Sequence, residues 1–579
     1  MSTRKHNNAA APMRWRSWFV MAGFVAAVSV LIWRAVDLQL LDDGFLSRQG
    51  DARHLRVAKL SAHRGPILDR NGDPLAVSTP VDSIWVNPGE FAAATDRIAE
   101  LAQLMGLKQS WLARRLSSNV EREFVYLRRH MRPDEAARVM KAGFPGVYTQ
   151  REYRRYYPAG EVVGHVIGFT DIDDNGQEGL ELAYDEWLRG EPGAKRVLRD
   201  RLGRSIEDVE SIRAPRAGQT LHTSIDLRVQ YLAYRELKRA YRDHHAVSGS
   251  AVVLDVNTGE VLAMANQPSF NPNNREDYEA QRYRNRAATD IFEPGSALKP
   301  LVIAAALEAE QYRPDTMIDT SPGFLRIGGW VIEDVRDFGN LDVTSVITKS
   351  SNVGATKIAM TLESEQLWST LASLGLGSLT ASGFPGESAG LLNDPVHWRP
   401  ITQATIAYGY GLSVTPLQLT HAFATIAADG VSHPVTFQHL THAPIRQQVI
   451  STRVARQMLA MLETVTQPEG TGALAALPGF RVAGKTGTAR KIEIGGYSSD
   501  RYTSVFAGMA PVTDPRLAIV VVIDEPRAGV YYGGDVAAPV FSAIMSGALR
   551  LLAVPPDGLL PDREADIVQA AVDSTGVTR

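Results

Sequence analysis

The sequence predicts a multidomain α+β protein that carries a single N-terminal transmembrane helix. Three observations support this fold class: the length of 579 residues, one long uncharged apolar run near the N-terminus, and a mixture of helical and strand-like apolar patterns in the rest of the chain. Because domains usually comprise about 100 to 200 residues, the part that follows the apolar run is expected to form two or more folded units.

The apolar run begins at Ser17 and carries no charge until Arg34, whose long side chain can reach the membrane interface. Ala35 and Val36 complete a segment that is just long enough to span a bilayer. Basic residues precede the run and acidic residues follow it: Arg4, Lys5, Arg14 and Arg16 on one side, and Asp37, Asp42 and Asp43 on the other. The positive-inside bias therefore predicts a cytoplasmic N-terminus and an exported remainder.

A cleaved signal peptide and a buried core helix are the two alternatives for this run. The small-x-small triplet at 27–29 lies inside the apolar stretch and is followed by "VLIW", which is a poor position for a cleavage site. An uncleaved signal anchor is therefore favoured. No second apolar run of this length occurs, so the chain is expected to cross the membrane once.

The exported part has a composition break at "SIRAPRAGQT" (211–220). Within the part before the break, Asn71-Gly72 lies between apolar segments and predicts a tight hairpin turn. After the break, "LRVQYLAYRELKRAY" predicts a long helix, and "SAVVLDV" and "RLAIVVVIDE" predict strands. We expect a cytoplasmic tail at 1–16, the anchor at 17–36, a mixed α/β module at 50–215, a larger domain at 221–555 and a flexible tail at 556–579.

Composition excludes several classes of function. A formal net charge of -3, with 22% charged residues, gives no electrostatic argument for a nucleic-acid partner. The chain has no cysteine, which excludes disulfides, thiolate catalysis and cysteine-ligated zinc. No HExxH, Walker or GxGxxG motif stands in a plausible context, so neither a metal nor a cofactor is expected.

One stretch, "DIDDNGQEGLE" (171–181), begins like a calcium-binding loop. The twelfth position, which should supply a bidentate glutamate, is Leu182, and Glu181 comes one residue early. A helical side chain displaced by one residue points about 100° away, so the ligand is misplaced and we interpret the stretch as an Asp/Asn/Gly turn. The residues at loop positions one, three, five and six are Asp171, Asp173, Asn175 and Gly176.

The stretch "FEPGSALKP" (292–300) contains a candidate nucleophile, Ser296, three residues before Lys299. On a helix that spacing places the amine within reach of the hydroxyl, which needs a base to become nucleophilic. The base must be a neutral lysine, which requires burial, positive neighbours or a helix N-terminus to lower its pKa. The alternative is a helix-capping serine beside a solvated lysine, and "STRK" at 2–5 shows that the spacing also occurs without such a role.

Two later motifs favour the nucleophile. "KSSNVG" contains Ser350 and Asn352, a Ser-x-Asn pair that offers a hydroxyl for proton relay and an amide for a substrate. "AGKTGTA" contains Lys485, a cation followed by two hydroxyls and by Gly487, which lets a ligand approach the backbone closely. The ordered set SxxK, SxN and KTG is the signature of penicillin-recognising serine acyltransferases.

On these motifs, and on "RGPILDRNGDPLA", "RRYYPAGEVVGHVIGFTD", "YGYGLSVTPLQL" and "YTSVFAGMAP", the chain from residue 64 to about 539 resembles the class B penicillin-binding proteins. These are monofunctional D,D-transpeptidases that cross-link peptidoglycan. The resemblance implies an elongated, non-catalytic α/β pedestal of dimerisation type, followed by a penicillin-binding transpeptidase domain with an antiparallel sheet flanked by helices. The GFT motif and the spacing of the blocks are most similar to the cell-division branch, which works at the septum.

The resemblance also implies catalytic roles. Ser296 would attack the carbonyl of the penultimate D-Ala of a donor stem peptide and expel the terminal D-Ala, while Lys299 takes the serine proton. Ser350 would pass a proton toward the leaving amine, and Asn352 would hold Lys299 and the substrate amide. Lys485 would bind the donor carboxylate together with the hydroxyls of the KTG motif.

Binding roles follow from the same resemblance. The N–H groups of Ser296 and Thr488 would form an oxyanion hole. The strand that carries residues 485–490 would be an edge strand able to pair with the stem peptide, which would bring Thr486 and Gly487 against it. Five further residues are expected to line the cleft or, equally, to serve packing: Tyr408, Tyr410, Arg490, Tyr531 and Tyr532.

The implied location is a bacterial inner membrane, with one pass and a periplasmic catalytic domain. Implied partners are peptidoglycan stem peptides, a membrane glycosyltransferase and divisome proteins, with β-lactams as covalent inhibitors. Alternatives are an elongation-type or specialised paralogous transpeptidase, and a D,D-carboxypeptidase that shares all three motifs and uses water as acceptor. A bifunctional enzyme, a β-lactamase and a β-lactam sensor fit less well, since they require a glycosyltransferase domain, a deacylating carboxylate or several membrane spans.

Overall fold

The structure, a computed structural model, describes residues 14–36, 55–60, 62–199, 205–275, 279–493 and 495–558. Most of the expected cytoplasmic and C-terminal tails lie outside these residues. So do the "STRK" stretch and five of the charged residues on which the predicted membrane orientation depends, at positions 4, 5, 37, 42 and 43. The chain forms two compact units. The first contains residues up to 62 with 81–152 and 191–216, and the second contains 63–80, 153–190 and the chain from 217 onward. The domain limits expected from the sequence stay a prediction.

The predicted apolar helix near the N-terminus is confirmed. It extends over Arg14–Val36, 23 residues, and its part Trp18–Val36 has a mean hydropathy of 2.1 and no buried residue. An apolar helix whose residues 18–36 are all exposed is suited to lipid, and its length and composition suffice for one membrane crossing.

The first compact unit contains two small sheets and short helices. Leu55–Leu60, Gly193–Arg199 and Ser205–Arg213 form an antiparallel three-stranded sheet, and residues 82–86 pair with Val125–Met131. A core built on Ile84, Leu101 and Val139 joins the second sheet to the helices. The helices are Pro88–Phe91, Ala92–Arg97, Ile98–Met105, Gln109–Ser117 and Pro133–Lys141.

In the second unit, the hairpin predicted at Asn71-Gly72 is confirmed. Ile67–Leu68 pairs antiparallel with the start of the strand Pro74–Val86 and parallel with Leu221–His222, while Gly72 has a φ of 93° that suits glycine. The loop at Asp171 is the turn expected there, since Asp171 Oδ1 accepts hydrogen bonds from the N–H groups of Asp173 and Asn175.

A five-stranded antiparallel sheet is the centre of the second unit. Its spatial order is Val261–Gln267, Ser248–Asp255, Leu517–Asp524, Gly496–Ala510 and Ala483–Glu493, so the last of these is an edge strand. Side chains alternate between the two faces. Val253 and Val521 face the helices Leu227–Asp243 and Gly533–Leu551, which confirms the long helix predicted after the composition break.

The other face of the sheet, which includes Val252 and Val520, is covered by a helical layer with an almost entirely apolar core. The principal helices of that layer are Lys299–Glu308, Val343–Thr348, Asn352–Ala359, Ser364–Ser373, Pro400–Ile406, Pro416–Ala427 and Thr452–Glu463. Shorter elements of the unit are Gly160–Val162, Gly164–Ile167, Gly179–Ala183, Asp185–Arg189, Ala280–Tyr283, Arg286–Thr289, Gly295–Leu298, Met317–Asp319, Phe324–Ile327, Trp330–Glu333 and Asn340–Asp342.

A buried ionic network joins the hairpin to the helix Gly179–Ala183. Arg64 Nε donates to Glu181 at 2.7 Å, and Arg155 Nε donates to the other oxygen of Glu181 at 2.6 Å. All three side chains are at most 2% exposed. A carboxylate shared by two buried guanidinium groups is difficult to remove, because Arg155 then loses its carboxylate partner and Arg64 keeps only Asp185.

Glu181→Gln is therefore expected to destabilise the fold strongly, by about 3 to 5 kcal/mol, since it keeps the side-chain volume and deletes the shared charge. Urea unfolding of the full chain in detergent measures the change. Arg456→Ala, which breaks the exposed pair with Asp429, is the matched control and should have little effect. Similar losses in the two variants would contradict this account of the network.

Candidate active site

Ser296 lies on a tight turn at the start of a buried helix. The turn, Gly295–Leu298, has 3-10 geometry and continues into the α-helix Lys299–Glu308. Neither helix start receives a side-chain hydrogen bond, so Ser296 is not a capping serine. Its hydroxyl is half-exposed and free of partners among the residues that the structure describes, as a nucleophile that awaits a substrate must be.

Two glycines let this turn pack closely against its neighbours, Gly487 on the edge strand and Gly409 after the helix Pro400–Ile406. A Cβ atom on Gly487 would lie 2.5 Å from Pro294 O, and one on Gly409 would lie 1.9 Å from Gly295 O. Gly409 also has a φ of 86° and accepts a hydrogen bond from the N–H of Gly295 at 3.1 Å. A side chain at Gly487 would push the turn away from the strand that carries Lys485, and one at Gly409 would collide with Gly295 of the turn itself.

Lys299 is fully buried, and all hydrogen bonds of its side-chain amine go to the Ser-x-Asn turn. Nζ donates to Asn352 Oδ1 at 2.8 Å, to the carbonyl of Ser350 and to Ser350 Oγ at 3.2 Å. The backbone N–H of Lys299 donates to Ser296 O, but among the described residues no hydrogen bond joins the Lys299 amine to the Ser296 hydroxyl. Catalytic contacts often tighten only when substrate is present, so this spacing fits a base that waits beside its nucleophile.

Lys485, on the edge strand Ala483–Glu493, is the second fully buried amine. Its Nζ donates to Ser350 Oγ at 2.9 Å, to the carbonyl of Thr486 at 3.2 Å and to Thr486 Oγ1 at 3.3 Å. Ser350 Oγ therefore accepts hydrogen bonds from both lysines and connects the two amines. The structure thus brings Lys299 and Lys485, one from each of the other two motifs, to the serine of the Ser-x-Asn motif.

Both amines are poorer bases than an exposed lysine. The pKa of Lys299 lies well below its usual value because of burial and, next, because of the positive charge of Lys485, while Asp334 opposes the shift. Burial lowers the pKa of Lys485 to about 7. This shift favours the neutral form of Lys299, which is the form that can accept a proton from a serine hydroxyl.

Ser350 is held in an unusual backbone conformation. Its φ is 59°, in the left-handed region that residues with a Cβ atom rarely adopt. The next residue, Ser351, caps the helix Asn352–Ala359 by accepting a hydrogen bond from the N–H of Gly354 at 2.9 Å. Such strain is concentrated at functional sites, where the surroundings enforce it.

The remaining KTG residues lie along the edge strand. Thr486 is buried, and its hydroxyl lies 2.8 Å from that of Thr471, whereas Thr488 is half-exposed and accepts a hydrogen bond from the N–H of Gly533 at 3.0 Å. Thr486 Oγ1 also accepts from Lys485 Nζ at 3.3 Å, so its hydroxyl lies beside the buried amine. The outer edge of this strand pairs with no other strand among the described residues, so its backbone groups are available there.

Two aromatic groups flank the exposed Arg490. Tyr410 OH accepts a hydrogen bond from the N–H of Arg490 at 3.0 Å, and its ring lies 5.6 Å from that of Tyr408 and 5.1 Å from that of Tyr497. On the other side, Tyr502 is the strand partner of Arg490. Tyr531 stacks on Tyr502 at 4.0 Å and contacts Tyr532 at 4.6 Å.

Sequence reasoning missed several of these neighbours. Tyr497 and Tyr502 belong to the strand next to the edge strand, and only the register of the sheet reveals their position. Glu293 lies three residues before Ser296 and accepts hydrogen bonds from the N–H of Gly411 at 2.7 Å and from Tyr497 OH at 3.1 Å. Its place in the nucleophile motif is a signal that the sequence analysis did not use.

Comparison with known proteins agrees with this geometry. Residues 249–546 match the penicillin-binding protein transpeptidase domain family, and residues 59–223 match the penicillin-binding protein dimerisation domain family. The peptidoglycan D,D-transpeptidase FtsI of Escherichia coli K12 is 43% identical over 97% of this chain and 96% of its own length.

Two solved structures are similar as well. The transpeptidase domain of Burkholderia pseudomallei penicillin-binding protein 3 aligns with a TM-score of 0.54 at 45% identity, over 58% of this chain and 97% of that one. Penicillin-binding protein 3 from Mycobacterium tuberculosis, complexed with aztreonam, aligns with a TM-score of 0.67 at 29% identity, over 86% of this chain and 98% of that one.

Lys485→Met is expected to raise the midpoint of thermal unfolding more at pH 6 than at pH 9. An amine whose pKa is about 7 when folded and about 10.4 when unfolded destabilises the fold fully below pH 7, and this destabilisation fades as pH rises toward the unfolded pKa. Calorimetry of the full chain in detergent at the two pH values checks the difference.

Lys491→Met on the same strand is the matched control. Lys491 is ion-paired with Asp524 and Glu525, which raise its pKa, so its loss should lower the midpoint at both pH values. Equal midpoint changes at pH 6 and pH 9 for Lys485→Met would contradict a buried amine with a lowered pKa.

Proposed function

The chain belongs to the class B penicillin-binding proteins and is a peptidoglycan D,D-transpeptidase, and we propose that it cross-links stem peptides through an acyl-enzyme on Ser296. The observation that carries this proposal is the buried Lys299 amine with its lowered pKa, directly after the turn Gly295–Leu298 that bears Ser296. A neutral lysine one helical turn from a serine hydroxyl is the base that the reaction needs.

In the first half of the reaction, Ser296 Oγ attacks the carbonyl carbon of the penultimate D-Ala of the donor, and its proton passes to Lys299 Nζ. The oxyanion that forms is stabilised by the N–H groups of Ser296 and Thr488, a contribution worth several kcal/mol in such sites. The tetrahedral intermediate collapses, the C–N bond breaks, and the amine of the leaving D-Ala takes a proton relayed through Ser350. An ester on Ser296 remains.

The contacts of Ser350 support its role as relay. A hydroxyl that is hydrogen-bonded to both Lys299 and Lys485 can accept a proton from one amine while it donates its own. Asn352 supports the base by accepting a hydrogen bond from Lys299, which leaves that amine little freedom to rotate. In the second half of the reaction, an amine of another strand attacks the ester, and Ser296 regains its proton.

Donor binding is proposed along the edge strand. No further strand pairs with the outer side of Ala483–Glu493 in the part of the chain that the structure describes, so its N–H and C=O groups can pair with an extended peptide. Lys485, Thr486 and Thr488 are proposed to hold the terminal carboxylate of the donor. Arg490, with the tyrosines at 408, 410, 531 and 532 on either side, is proposed to line the cleft.

We also propose the domain division of the sequence analysis, with a non-catalytic pedestal at 50–215 and the transpeptidase domain at 221–555. The two family models, at 59–223 and 249–546, support it. The helix Arg14–Val36 is proposed to cross a bacterial inner membrane once, with a cytoplasmic N-terminus and a periplasmic catalytic domain. The similarity to a protein named FtsI supports a septal role, with a membrane glycosyltransferase and divisome proteins as partners.

Ser296→Ala in the full chain should abolish covalent labelling by a fluorescent penicillin, because a β-lactam mimics the donor and traps the nucleophile. Gel fluorescence after denaturation measures the label. Ser369→Ala is the matched control, since Ser369 is an exposed residue of the helix Ser364–Ser373, and this variant should retain full label. Full labelling of folded Ser296→Ala would sink the proposal.

A fluorescently tagged copy of the chain is expected to concentrate at the division site of growing cells if the septal role is right. Microscopy of dividing and non-dividing cells measures the ratio of midcell to side-wall signal. A uniform side-wall signal would favour the elongation-type or paralogous alternative, while the acylation experiment would be unaffected.

A further inference from the structure

One carboxylate outside the three motifs holds the turn that carries Ser350 and Asn352. Asp334 follows the short strand Trp330–Glu333 and accepts three hydrogen bonds from consecutive residues of that turn. The donors are Ser351 Oγ at 2.6 Å, the N–H of Asn352, and the N–H of Val353 at 3.1 Å. The N–H of Asp334 in turn donates to Gly323 O at 2.9 Å, which holds the backbone of Asp334 in place.

The position of this carboxylate is electrostatically favourable. The amides of Asn352 and Val353 belong to the first turn of the helix Asn352–Ala359 and have no partner within it. A negative charge at a helix N-terminus also interacts well with the helix dipole. Ser351 completes the arrangement, because its hydroxyl donates to Asp334 while it accepts from the N–H of Gly354.

The strands Phe324–Ile327 and Trp330–Glu333 pair as a hairpin, and its end also orients the motif asparagine. Asn352 Nδ2 donates to the carbonyl of Glu333 at 2.9 Å, so the amide oxygen is the atom that faces Lys299 Nζ. Two successive residues thus hold Asn352: Glu333 accepts from its side-chain amide, and Asp334 accepts from its backbone N–H. Ser350, which precedes it in a left-handed conformation, cannot relax while the following residues are fixed in this way.

We propose that Asp334 is a positioning residue for the acyl transfer: its carboxylate fixes the turn whose Ser350 and Asn352 hold the Lys299 amine beside the nucleophile. The inference rests on the proposed function, since it assigns Asp334 to the same site. Asp334 acts through the turn and touches neither Ser296 nor Lys299 by hydrogen bond in the described structure.

The charge of Asp334 makes this role measurable. Two charged groups act on Lys299: Lys485, from the edge strand, lowers its pKa, and Asp334, from the hairpin, raises it. The hydrogen-bond partners of the Lys299 amine, Ser350 and Asn352, are neutral. Loss of the carboxylate therefore lowers the pKa of Lys299, so the amine stays neutral to lower pH and the acid limb of the acylation rate moves to lower pH.

The test uses Asp334→Asn and Asp334→Ala in the full chain in detergent, with the acylation rate by fluorescent penicillin measured from pH 5 to pH 9. Asp342→Asn is the matched control, because Asp342 caps the neighbouring helix Val343–Thr348 through the N–H of Ser345 at 2.7 Å without contacting the motif turn. Thermal midpoints of all variants report folding.

We expect the maximal acylation rate to fall roughly 10- to 100-fold in both Asp334 variants, as for other small misplacements of catalytic groups, with the acid limb at lower pH than in the unaltered chain. The control variant should have the same maximal acylation rate and the same acid limb of the pH profile as the unaltered chain. If Asp334→Ala fails to fold, the isosteric Asp334→Asn still tests the proposal.

A rate for folded Asp334→Asn that equals that of the unaltered chain overturns the proposal, and so does a loss of equal size at every pH with an unmoved acid limb. In both cases the unaltered chain still acylates, and the proposed function stands. Absence of acylation in the unaltered chain would instead remove the proposed function, and this inference with it.

Discussion

The burial of two lysine amines around one serine hydroxyl is the interaction on which the catalytic unit depends. Lys299 and Lys485 are both 0% exposed, and a buried amine is costly unless hydrogen-bond acceptors surround it. The acceptors are supplied by Ser350, Asn352 and the backbone of Thr486. The same burial that weakens the fold lowers the pKa of Lys299 and so favours the neutral amine that can act as a base.

The sheet and the helical layer are built to bring these groups together. Alternation along the edge strand directs Lys485 toward the helical layer, and Gly487 leaves room for the nucleophile turn to pack against the strand. The turn then continues into a helix that is buried from Lys299 to Leu307, which fixes the amine in a rigid frame. Rigid elements position such groups more exactly than loops do.

Much of this architecture could be predicted from local patterns. The apolar N-terminal helix, the Asn71-Gly72 hairpin and the helix after Asp226 each follow from signals within a few residues. The three motifs identified the residues that meet at Ser350 Oγ. Asp334, Tyr497 and Tyr502 could not be found in this way, because their place at the site depends on a hairpin and on strand register that join distant segments.

The sequence by itself determined which chemical groups the site contains and in what order the motifs occur. The spacing alone could not distinguish "SALK" from "STRK", but the two later motifs indicated Ser296. Only the tertiary structure decided that a lysine at 299 is buried, is bonded to Ser350 and Asn352, and lies near a second amine. The physical reason is that a pKa is set by burial and by neighbouring charges. For Lys299 burial by the folded domain is the larger cause of the lowered pKa, and the charge of Lys485, far along the chain, is the next.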